Sequence, residues 1–322
     1  MADESKIEWT DATWNPWEGC EKVSPGCKFC YAEARDKRFT GGKHWGGKDS
    51  VRRVISKQLE NAPHRWQKDQ AAKNALADKQ GVPRPRRMRV FCASLADVFE
   101  DRADLVERRA KLFDTIRACP DLDWLLLTKR PENIARLWPK HVPPPGAAAW
   151  PNVWLGCTCE NQEWTNNRLR HLLAVAAVIH FVSFEPLLGP IDLAETDLSG
   201  VPLGNHREHM LNWAIIGGES GNGARPFHIS WAKSLIEQCE RYLITPFVKQ
   251  MGAVPVMDER AWRHQLAEAR ELGTAPLLSA TNKDRAPDGT VPLKFEHKKG
   301  GDIGEWPTDL RVREFPSGGF PK

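Results

Sequence analysis

Short apolar segments recur along this chain at a spacing that strongly limits its fold. Consecutive segments begin 36, 29, 25, 35 and 33 residues apart, and a further candidate lies near the start of the chain. Each ends in small or polar residues and is followed by a stretch with helical periodicity. A strand and a returning helix take about 30 residues, so this spacing predicts βαβ units. The predicted strands are residues 7–14, 88–93, 124–128, 153–157, 178–183, 213–217 and 246–249.

The strand interiors are nearly continuous apolar runs, which is typical of strands covered on both faces. A doubly wound open sheet would contain the same runs, but it would concentrate its chemically active residues at one crevice. Here polar residues follow nearly every strand, as in barrel enzymes, whose sites are built from many strand ends. The sequence therefore predicts an α/β fold with a partial or complete parallel βα barrel of the TIM type. Helices are predicted at 102–118, 131–138, 164–175 and 230–243.

The polar residues at the predicted strand ends are the candidate site. Lys129 and Arg130 form a cationic pair that can hold a carboxylate or a phosphate, with the arginine offering a bidentate fork. Glu185 precedes a proline, which predicts a rigid extended turn facing the cavity. The full set is Ser94, Asp97, Thr128, Lys129, Arg130, Thr158, Glu160, Ser183, Glu185, Gly217, Gly218, Glu219, Ser220, Lys249 and Gln250.

Two regions stand outside this βα pattern. Residues 33–87 follow the first predicted strand and contain a helix plus a basic insertion. Residues 255–322 are rich in proline, glycine and charge, too polar for a second core. We therefore predict a barrel domain over residues 1–254 and a C-terminal extension over 255–322 that packs on it.

Composition and charge bear on compartment and partners. Eight cysteines in 322 residues fall well below disulfide-scaffold density, and a polar start without a long apolar run predicts a cytoplasmic chain that does not contact a membrane. Residues 31–91 hold 16 Lys and Arg against 6 Asp and Glu, a local excess of +10 in a chain of net +4. This segment is either a solvated face or a phosphate-binding surface.

Three cysteines, Cys20, Cys27 and Cys30, lie within eleven residues directly after the first predicted strand. A structural zinc site needs four closed ligands, whereas an iron-sulfur cluster held by three cysteines leaves one iron open. His44 is the nearest candidate for a fourth zinc ligand, and the Cys157 and Cys159 pair is another. A three-Cys iron-sulfur cluster is the favoured interpretation, and structural zinc or unliganded thiols are the alternatives.

The cysteine loop resembles the radical S-adenosylmethionine superfamily, with an aromatic residue directly before the last cysteine. Several motifs in order, spanning residues 7–252 and the 306–316 tail, resemble its phage-associated three-Cys-motif branch, whose function is uncharacterised. Cys20 and Cys27 are separated by six residues, where the superfamily usually has three. The matching segments are residues 19–20, 24–27, 30–32, 127–132, 183–188, 217–221 and 249–250.

This resemblance implies a cofactor set and a reaction type. Cys20, Cys27 and Cys30 would ligate a 4Fe-4S cluster whose open iron binds S-adenosylmethionine, and Phe29 would lie beside the adenine. An electron from a donor such as flavodoxin or ferredoxin would release a 5′-deoxyadenosyl radical that abstracts hydrogen from the substrate. The predicted catalytic residues are Lys129, Arg130, Glu185 and Glu219, and the predicted cofactor-binding residues are Phe29, Ser94, Asp97, Gly217, Gly218 and Ser220.

The Gly-Gly-Glu-Ser segment follows the sixth predicted strand, so its role is argued from chemistry alone. Gly217 and Gly218 would let a ligand approach the backbone closely, and Glu219 or Ser220 would bond a ribose hydroxyl or the substrate. A tight turn that closes the strand is the alternative.

The leading hypothesis is a radical S-adenosylmethionine enzyme with an unknown substrate, for which the basic segment suggests a nucleic acid or a nucleotide. One alternative is a zinc-stabilised nucleic-acid-binding protein without redox chemistry. Another is a metal-independent hydrolase or lyase that uses Asp97, Glu185 and Glu219 as acid and base.

Overall fold

The structure is a computed structural model that describes residues 4–146, 148–201, 207–271 and 289–316. Each strand predicted from the sequence has a counterpart in it. The strands among these residues are β1 (Ala12–Thr13), β2 (Trp17–Glu18), β3 (Arg53–Val54), β4 (Met88–Cys92), β5 (Leu122–Thr128), β6 (Val153–Thr158), β7 (Ile179–Phe184), β8 (Leu211–Gly217), β9 (Phe227–His228), β10 (Thr245–Gln250), β11 (Pro255–Asp258) and β12 (Thr290–Pro292).

The helices connect these strands in the order that a βα fold requires. All four predicted helices are present, two of them preceded by a short 3-10 turn. The helices among the described residues are α1 (Tyr31–Thr40), α2 (Lys57–Glu60), α3 (Ala62–Gln80), α4 (Val106–Ala118), α5 (Ile134–Leu137), α6 (Gln162–Leu173), α7 (Ile229–Arg241) and α8 (Glu259–Glu271). None of them is long and apolar enough to cross a membrane.

The central sheet has seven strands in the order β1-β4-β5-β6-β7-β8-β10, and every neighbouring pair is parallel. Helical connections return the chain to the same end of the sheet each time, which confirms the predicted α/β class. The first strand is shorter than predicted, because a turn in which the Thr10 amide donates to the Ile7 carbonyl precedes Ala12. That turn places Trp9 inside the sheet's concave face.

Aromatic contacts through Trp9 show that the sheet is curled. The Trp9 ring lies 4.6 Å from Phe91 on β4 and 6.1 Å from Phe181 on β7, measured between ring centroids. In a flat sheet these strands, three positions apart, would be separated by about 14 Å. The seven strands therefore form a half-barrel whose interior is filled by side chains from opposite sides.

The C-terminal extension closes the base of this half-barrel. Arg313 forms an antiparallel bridge with Phe247 on β10, and the Phe315 ring lies 5.2 Å from the Phe247 ring. On its other side, the Arg89 guanidinium of β4 lies 3.7 Å from the Phe315 ring. Since β4 and β10 are five strands apart in the sheet, one phenylalanine spans the gap between its two sides. Trp306, fully buried, anchors the same segment.

The basic insertion packs on the outside of the sheet. Its longest helix, α3, contacts α4 and β5. Arg52 is 1% exposed, and its guanidinium Nε donates to Glu100 Oε2 at 2.9 Å. This buried ion pair ties the insertion to the loop after β4, so part of the segment's positive charge serves packing rather than a ligand.

Gly156 allows the interior of the half-barrel to fill. It lies beside Phe181 in the register of β6 and β7, and a Cβ at this position would come within 2.4 Å of the Phe181 ring. Phe181 is fully buried among other aromatic residues, so the ring has no space into which to retreat.

We expect Gly156→Ala to lower the free energy of unfolding by about 1–3 kcal/mol, the usual range for overpacking a core. Gly146→Ala is the matched control, because a Cβ there meets nothing within 4 Å, and it should change stability by less than about 0.5 kcal/mol. Urea unfolding followed by circular dichroism measures both. Equal stabilities for the two variants would contradict the packing account.

His180 on β7 is buried against the helical layer. Its Nε2 lies 2.7 Å from the carbonyl of Val175, and burial lowers the pKa of His180 from 6.5 to about 4. Between these values the unfolded chain binds a proton at this imidazole and the folded protein does not. Acidification from pH 6.5 to 4 therefore destabilises the fold.

This imidazole alone should remove about 3 kcal/mol of stability over that pH range. His180→Gln keeps a donor for the Val175 carbonyl without the titration, so its unfolding free energy should depend less steeply on pH. Parallel pH profiles for the two proteins would show that His180 does not stay neutral in the fold.

Candidate functional site

A cavity of about 880 Å³ lies at the carboxyl ends of the parallel strands. The three cysteines line it, together with residues at or directly after the carboxyl ends of all six long strands of the sheet. Of the residues predicted for the site, Glu160 and Gly217 are absent from its lining. The predicted residues in the lining are Cys20, Cys27, Phe29, Cys30, Ser94, Asp97, Thr128, Lys129, Arg130, Thr158, Ser183, Glu185, Gly218, Glu219, Ser220, Lys249 and Gln250.

The cysteines lie on an irregular loop between β2 and α1. Cys27 ends a short 3-10 turn and is buried, and Cys30 caps the N-terminus of α1. Gly19 takes φ +115° before Cys20, and a Cβ there would collide with the His44 carbonyl oxygen at 2.2 Å. The loop thus reaches the cavity because Gly19 allows a close crossing with the insertion.

Glu160 anchors the cysteine loop to the barrel. Its carboxylate is fully buried and accepts a hydrogen bond from Ser24 Oγ at 2.5 Å and from Arg168 Nη1 at 2.9 Å. Ser24 Oγ in turn lies 3.8 Å from Cys27 Sγ. Gly26 packs directly on this carboxylate, since a Cβ there would meet Glu160 Oε1 at 2.2 Å.

Lys129 projects toward the same part of the cavity. Its Nζ lies 3.3 Å from Thr158 Oγ1. Burial alone would lower the pKa of Lys129, but Glu160, Cys27 and Cys30 raise it above its ordinary value. The side chain therefore carries a full positive charge beside two of the cysteines.

Arg130 holds the third cysteine. Its Nη1 lies 3.6 Å from Cys20 Sγ and 2.9 Å from Asp97 Oδ2, and its Nη2 donates to the Glu21 carbonyl at 2.8 Å. Burial raises the pKa of the Cys20 thiol to about 12, with Asp97 adding to the rise and Arg130 opposing it. A metal at this sulfur would have to displace a firmly held proton.

Asp97 accepts four hydrogen bonds, most of them from residues at the end of β5. Its carboxylate accepts from Thr128 Oγ1 at 2.6 Å, from the Lys129 amide at 3.0 Å, from the Phe99 amide at 3.0 Å and from Arg130. Burial alone would raise the pKa of Asp97. Arg130 and these hydrogen bonds lower it by more, so the pKa lies below its ordinary value. The residue predicted to contact a cofactor thus orients the Arg130 guanidinium and holds the backbone at Lys129.

Glu185 forms a polar cluster with β10 on the other side of the cavity. Lys249 Nζ contacts both of its carboxylate oxygens, at 2.7 and 2.9 Å, and Gln250 Nε2 donates to Oε1 at 3.0 Å. The sequence places Lys249 and Gln250 at a strand end, and the structure adds their pairing with Glu185. This cluster presents both a cation and hydrogen-bonding groups to a ligand.

The Gly-Gly-Glu-Ser segment makes contacts that differ from those expected. A Cβ on Gly218 would lie 2.4 Å from the Met251 carbonyl oxygen, so the close approach is to backbone rather than to a ligand. Arg225 donates to both carboxylate oxygens of Glu219, at 2.6 and 2.9 Å. These contacts fit a tight turn better than a ligand-binding segment. Ser220 also lines the cavity and has no comparable ion pair within the described residues.

Phe29 joins this segment to the cysteine loop. The Arg225 guanidinium lies 5.4 Å from its ring centroid, and Lys28 Nζ lies 5.2 Å from it. A Cβ on Gly223, which has φ +77°, would contact the same ring at 3.2 Å. Phe29 is nevertheless 37% exposed, so one face of the ring is open to the cavity. Ser94 also lines the cavity, and its backbone carbonyl accepts a hydrogen bond from Tyr31 Oη at 2.6 Å.

The candidates for a fourth zinc ligand are engaged elsewhere. His44 Nδ1 lies 2.7 Å from Asp36 Oδ1, and the buried sulfurs of Cys157 and Cys159 lie 3.6 Å from each other. None of these three residues lines the cavity. Among the residues that the structure describes, no three His, Cys, Asp or Glu side chains form a group that could hold a metal ion.

Sequence reasoning missed the residues that support the site. Arg168 and Arg225 carry no motif, and they matter only because folding brings them to Glu160 and Glu219. Glu160 was visible as a polar residue after a strand, but its bond to Ser24 connects positions 136 residues apart. Such long-range pairs leave no local pattern.

The chain matches the family described as protein of unknown function (DUF5131) over residues 4–286, and it therefore belongs to that family. No curated protein and no solved structure matches it. The family description assigns no activity.

Glu160→Gln should destabilise the protein by about 3 kcal/mol or more, because it leaves the Arg168 cation, 2% exposed, without its partner. The exposed pair of Asp101 and Arg136 is the matched control, and Asp101→Asn should change stability by less than about 1 kcal/mol. Urea unfolding of the metal-free proteins measures both. A loss no larger than that of the control would contradict the anchoring role of Glu160.

Proposed function

We propose that this member of the DUF5131 family is a radical S-adenosylmethionine enzyme whose Cys20, Cys27 and Cys30 hold a 4Fe-4S cluster. One observation carries the proposal: three thiols from one loop line the same cavity as polar residues from every long strand, while the candidate fourth ligands are engaged elsewhere. A site with three protein ligands leaves one position open for a cofactor.

The residue types around the thiols fit this group in their chemistry, although the described side chains do not yet form a metal-binding group, so binding of the cluster would have to draw the three sulfurs together. Thiolates are the ligands that iron-sulfur clusters take, and Lys129 and Arg130 supply positive charge beside them. Such cations offset the negative charge of a thiolate-ligated cluster and make the deprotonated ligands more favourable. The cavity volume of about 880 Å³ lies within the range of ~300–1,000 Å³ that ligand pockets occupy.

When bound, a reduced cluster and S-adenosylmethionine would together supply a carbon radical for hydrogen abstraction. The chain's own residues would bind the cofactors and orient the cysteine loop. Arg130, which is itself held by Asp97, contacts Cys20, while Glu160 holds the 24–27 turn. The exposed face of Phe29 offers a stacking surface for an adenine.

The polar cluster on β10 would position polar groups of the cofactor or the substrate. Lys249 can pair with a carboxylate, and the Glu185 carboxylate can accept from hydroxyl or amino groups. Lys249 and Glu185 form a direct ion pair, so each charge has a partner when no substrate is bound. An apolar wall formed by Trp9, Phe91 and Leu127 limits the access of water.

The proposal extends to the fold, the partners and the biological setting. The half-barrel would be the partial βα barrel of that superfamily, with the extension completing its base. A flavodoxin or a ferredoxin in the cytoplasm would supply the electron, and a phage-related role would follow from the three-Cys-motif resemblance.

The direct test is anaerobic purification and reconstitution, followed by iron and sulfide analysis. S-adenosylmethionine and dithionite are then added and 5′-deoxyadenosine is measured by liquid chromatography. We expect about four irons per chain and release of deoxyadenosine. Stoichiometric zinc without cleavage would instead identify a zinc-stabilised binding protein.

Cysteine variants separate the cluster ligands from the other thiols. Cys20→Ala, Cys27→Ala and Cys30→Ala should each lose most of the iron and all cleavage. Cys239→Ala is the matched control, because this thiol is buried on α7 and does not line the cavity. Iron loss from the control, or full iron in any of the three variants, would overturn the assignment.

A further inference from the structure

Helix α1 carries an exposed face of aromatic and cationic side chains that begins at the cavity. Tyr31 lines the cavity and is 57% exposed, and Phe39, two turns further along, is 69% exposed. Arg35 and Arg38 lie between them. With a rise of about 1.5 Å per residue, this face extends some 12 Å away from the cavity. We call Tyr31, Arg35, Arg38 and Phe39 the α1 face.

The cations of the α1 face lie beside aromatic rings. The guanidinium carbons of Arg35 and Arg38 are 5.9 and 5.3 Å from the Phe39 ring centroid. Residues 31, 35 and 38 share one side of an α-helix, so the ring of Tyr31 continues the same row. At the cavity mouth, Phe29 repeats the arrangement between Lys28 and Arg225.

Elsewhere in the basic segment, several arginines pair with acidic side chains of the protein itself. Arg52 is buried against Glu100, Arg86 pairs with Asp11, and Arg84 pairs with Asp78. The α1 face keeps its guanidinium groups in solvent, although Arg35 also lies 3.5 Å from Glu18. The α1 face differs from the exposed lysines on α3 because its guanidinium groups lie beside an exposed aromatic ring.

Three further lysines extend the positive charge around the mouth. Lys6 from the N-terminal segment and Lys298 and Lys299 from the extension line the cavity and are exposed. None of the three has an ion-pair partner within the described part of the chain. The rim also carries three acidic residues, Glu8, Glu21 and Glu296, so its charge is mixed. The α1 face is therefore the surface that presents a row of cations.

We infer that the α1 face binds a single-stranded nucleic acid and guides one of its bases into the cavity as the substrate. Aromatic rings flanked by cations match a polymer that alternates base faces with phosphates. Rings that stand in solvent can stack only on unpaired bases, and a base must leave a duplex before an enzyme can act on it. This inference rests on the proposed function, which supplies the chemistry in the cavity.

The test is the binding of a fluorescein-labelled oligothymidylate, followed by fluorescence anisotropy at several salt concentrations. The protein should bind the single strand more tightly than a duplex of the same length. Phe39→Ala should weaken binding about 5- to 150-fold, the effect of losing one stacked base. The double variant Arg35→Gln/Arg38→Gln should reduce the slope of log affinity against log salt by about 1.4.

Helix α3 provides matched controls within the same basic segment. Lys73 and Lys79 are exposed there and lie outside the cavity lining, and Leu76 is 56% exposed. Lys73→Gln/Lys79→Gln and Leu76→Ala should leave affinity and salt slope unchanged. Equal losses on α1 and α3, or no preference for the single strand, would overturn the inference.

Two readouts on the unsubstituted protein separate this inference from the proposed function. Deoxyadenosine release without oligonucleotide binding would leave the enzyme assignment intact and refute the nucleic-acid substrate. Binding without iron and without deoxyadenosine would refute the enzyme and, with it, the substrate role of the bound strand. Both results together support the two proposals, and transfer of deuterium into deoxyadenosine from an oligonucleotide labelled on its bases would confirm the base as substrate.

Discussion

The packing of Trp9 into the concave face of the sheet is the interaction on which the rest of the structure depends. Its ring contacts side chains from β4, β7 and β8, which a flat sheet would hold far apart. By drawing these strands together, it makes their carboxyl ends converge on one cavity. Phe315 performs the corresponding task at the base, where it bridges β4 and β10.

The site above this core is built from pairs of opposite charge. Glu160 with Arg168, Asp97 with Arg130, Glu185 with Lys249 and Glu219 with Arg225 all pair across the cavity or just beneath it. Buried or half-buried charges are stable only when they are paired, so the lining is held in a defined arrangement. Arg130, whose Nη1 lies 3.6 Å from Cys20 Sγ, is positioned in this way and places a positive charge beside the cysteine loop.

The sequence predicted the parallel sheet well because its strands are covered on both sides and read as apolar runs. It overestimated the first strand, where a turn directs Trp9 inward. It did not predict α3, whose mostly polar sequence has only a weak apolar face. The cysteine loop was visible from spacing alone, whereas the partners of Glu160 and Glu219 depend on the fold. Gly218 shows the same limit, since its close neighbour is Met251, more than thirty residues away.

The central claim is that three cysteines leave one metal position open to S-adenosylmethionine at the end of this half-barrel. Electron paramagnetic resonance of the reconstituted, dithionite-reduced protein, recorded with and without S-adenosylmethionine, tests it most directly. The account predicts a reduced 4Fe-4S signal whose g values shift when the cofactor is added. A cluster signal that the cofactor leaves unchanged, or zinc with no signal at all, would contradict it.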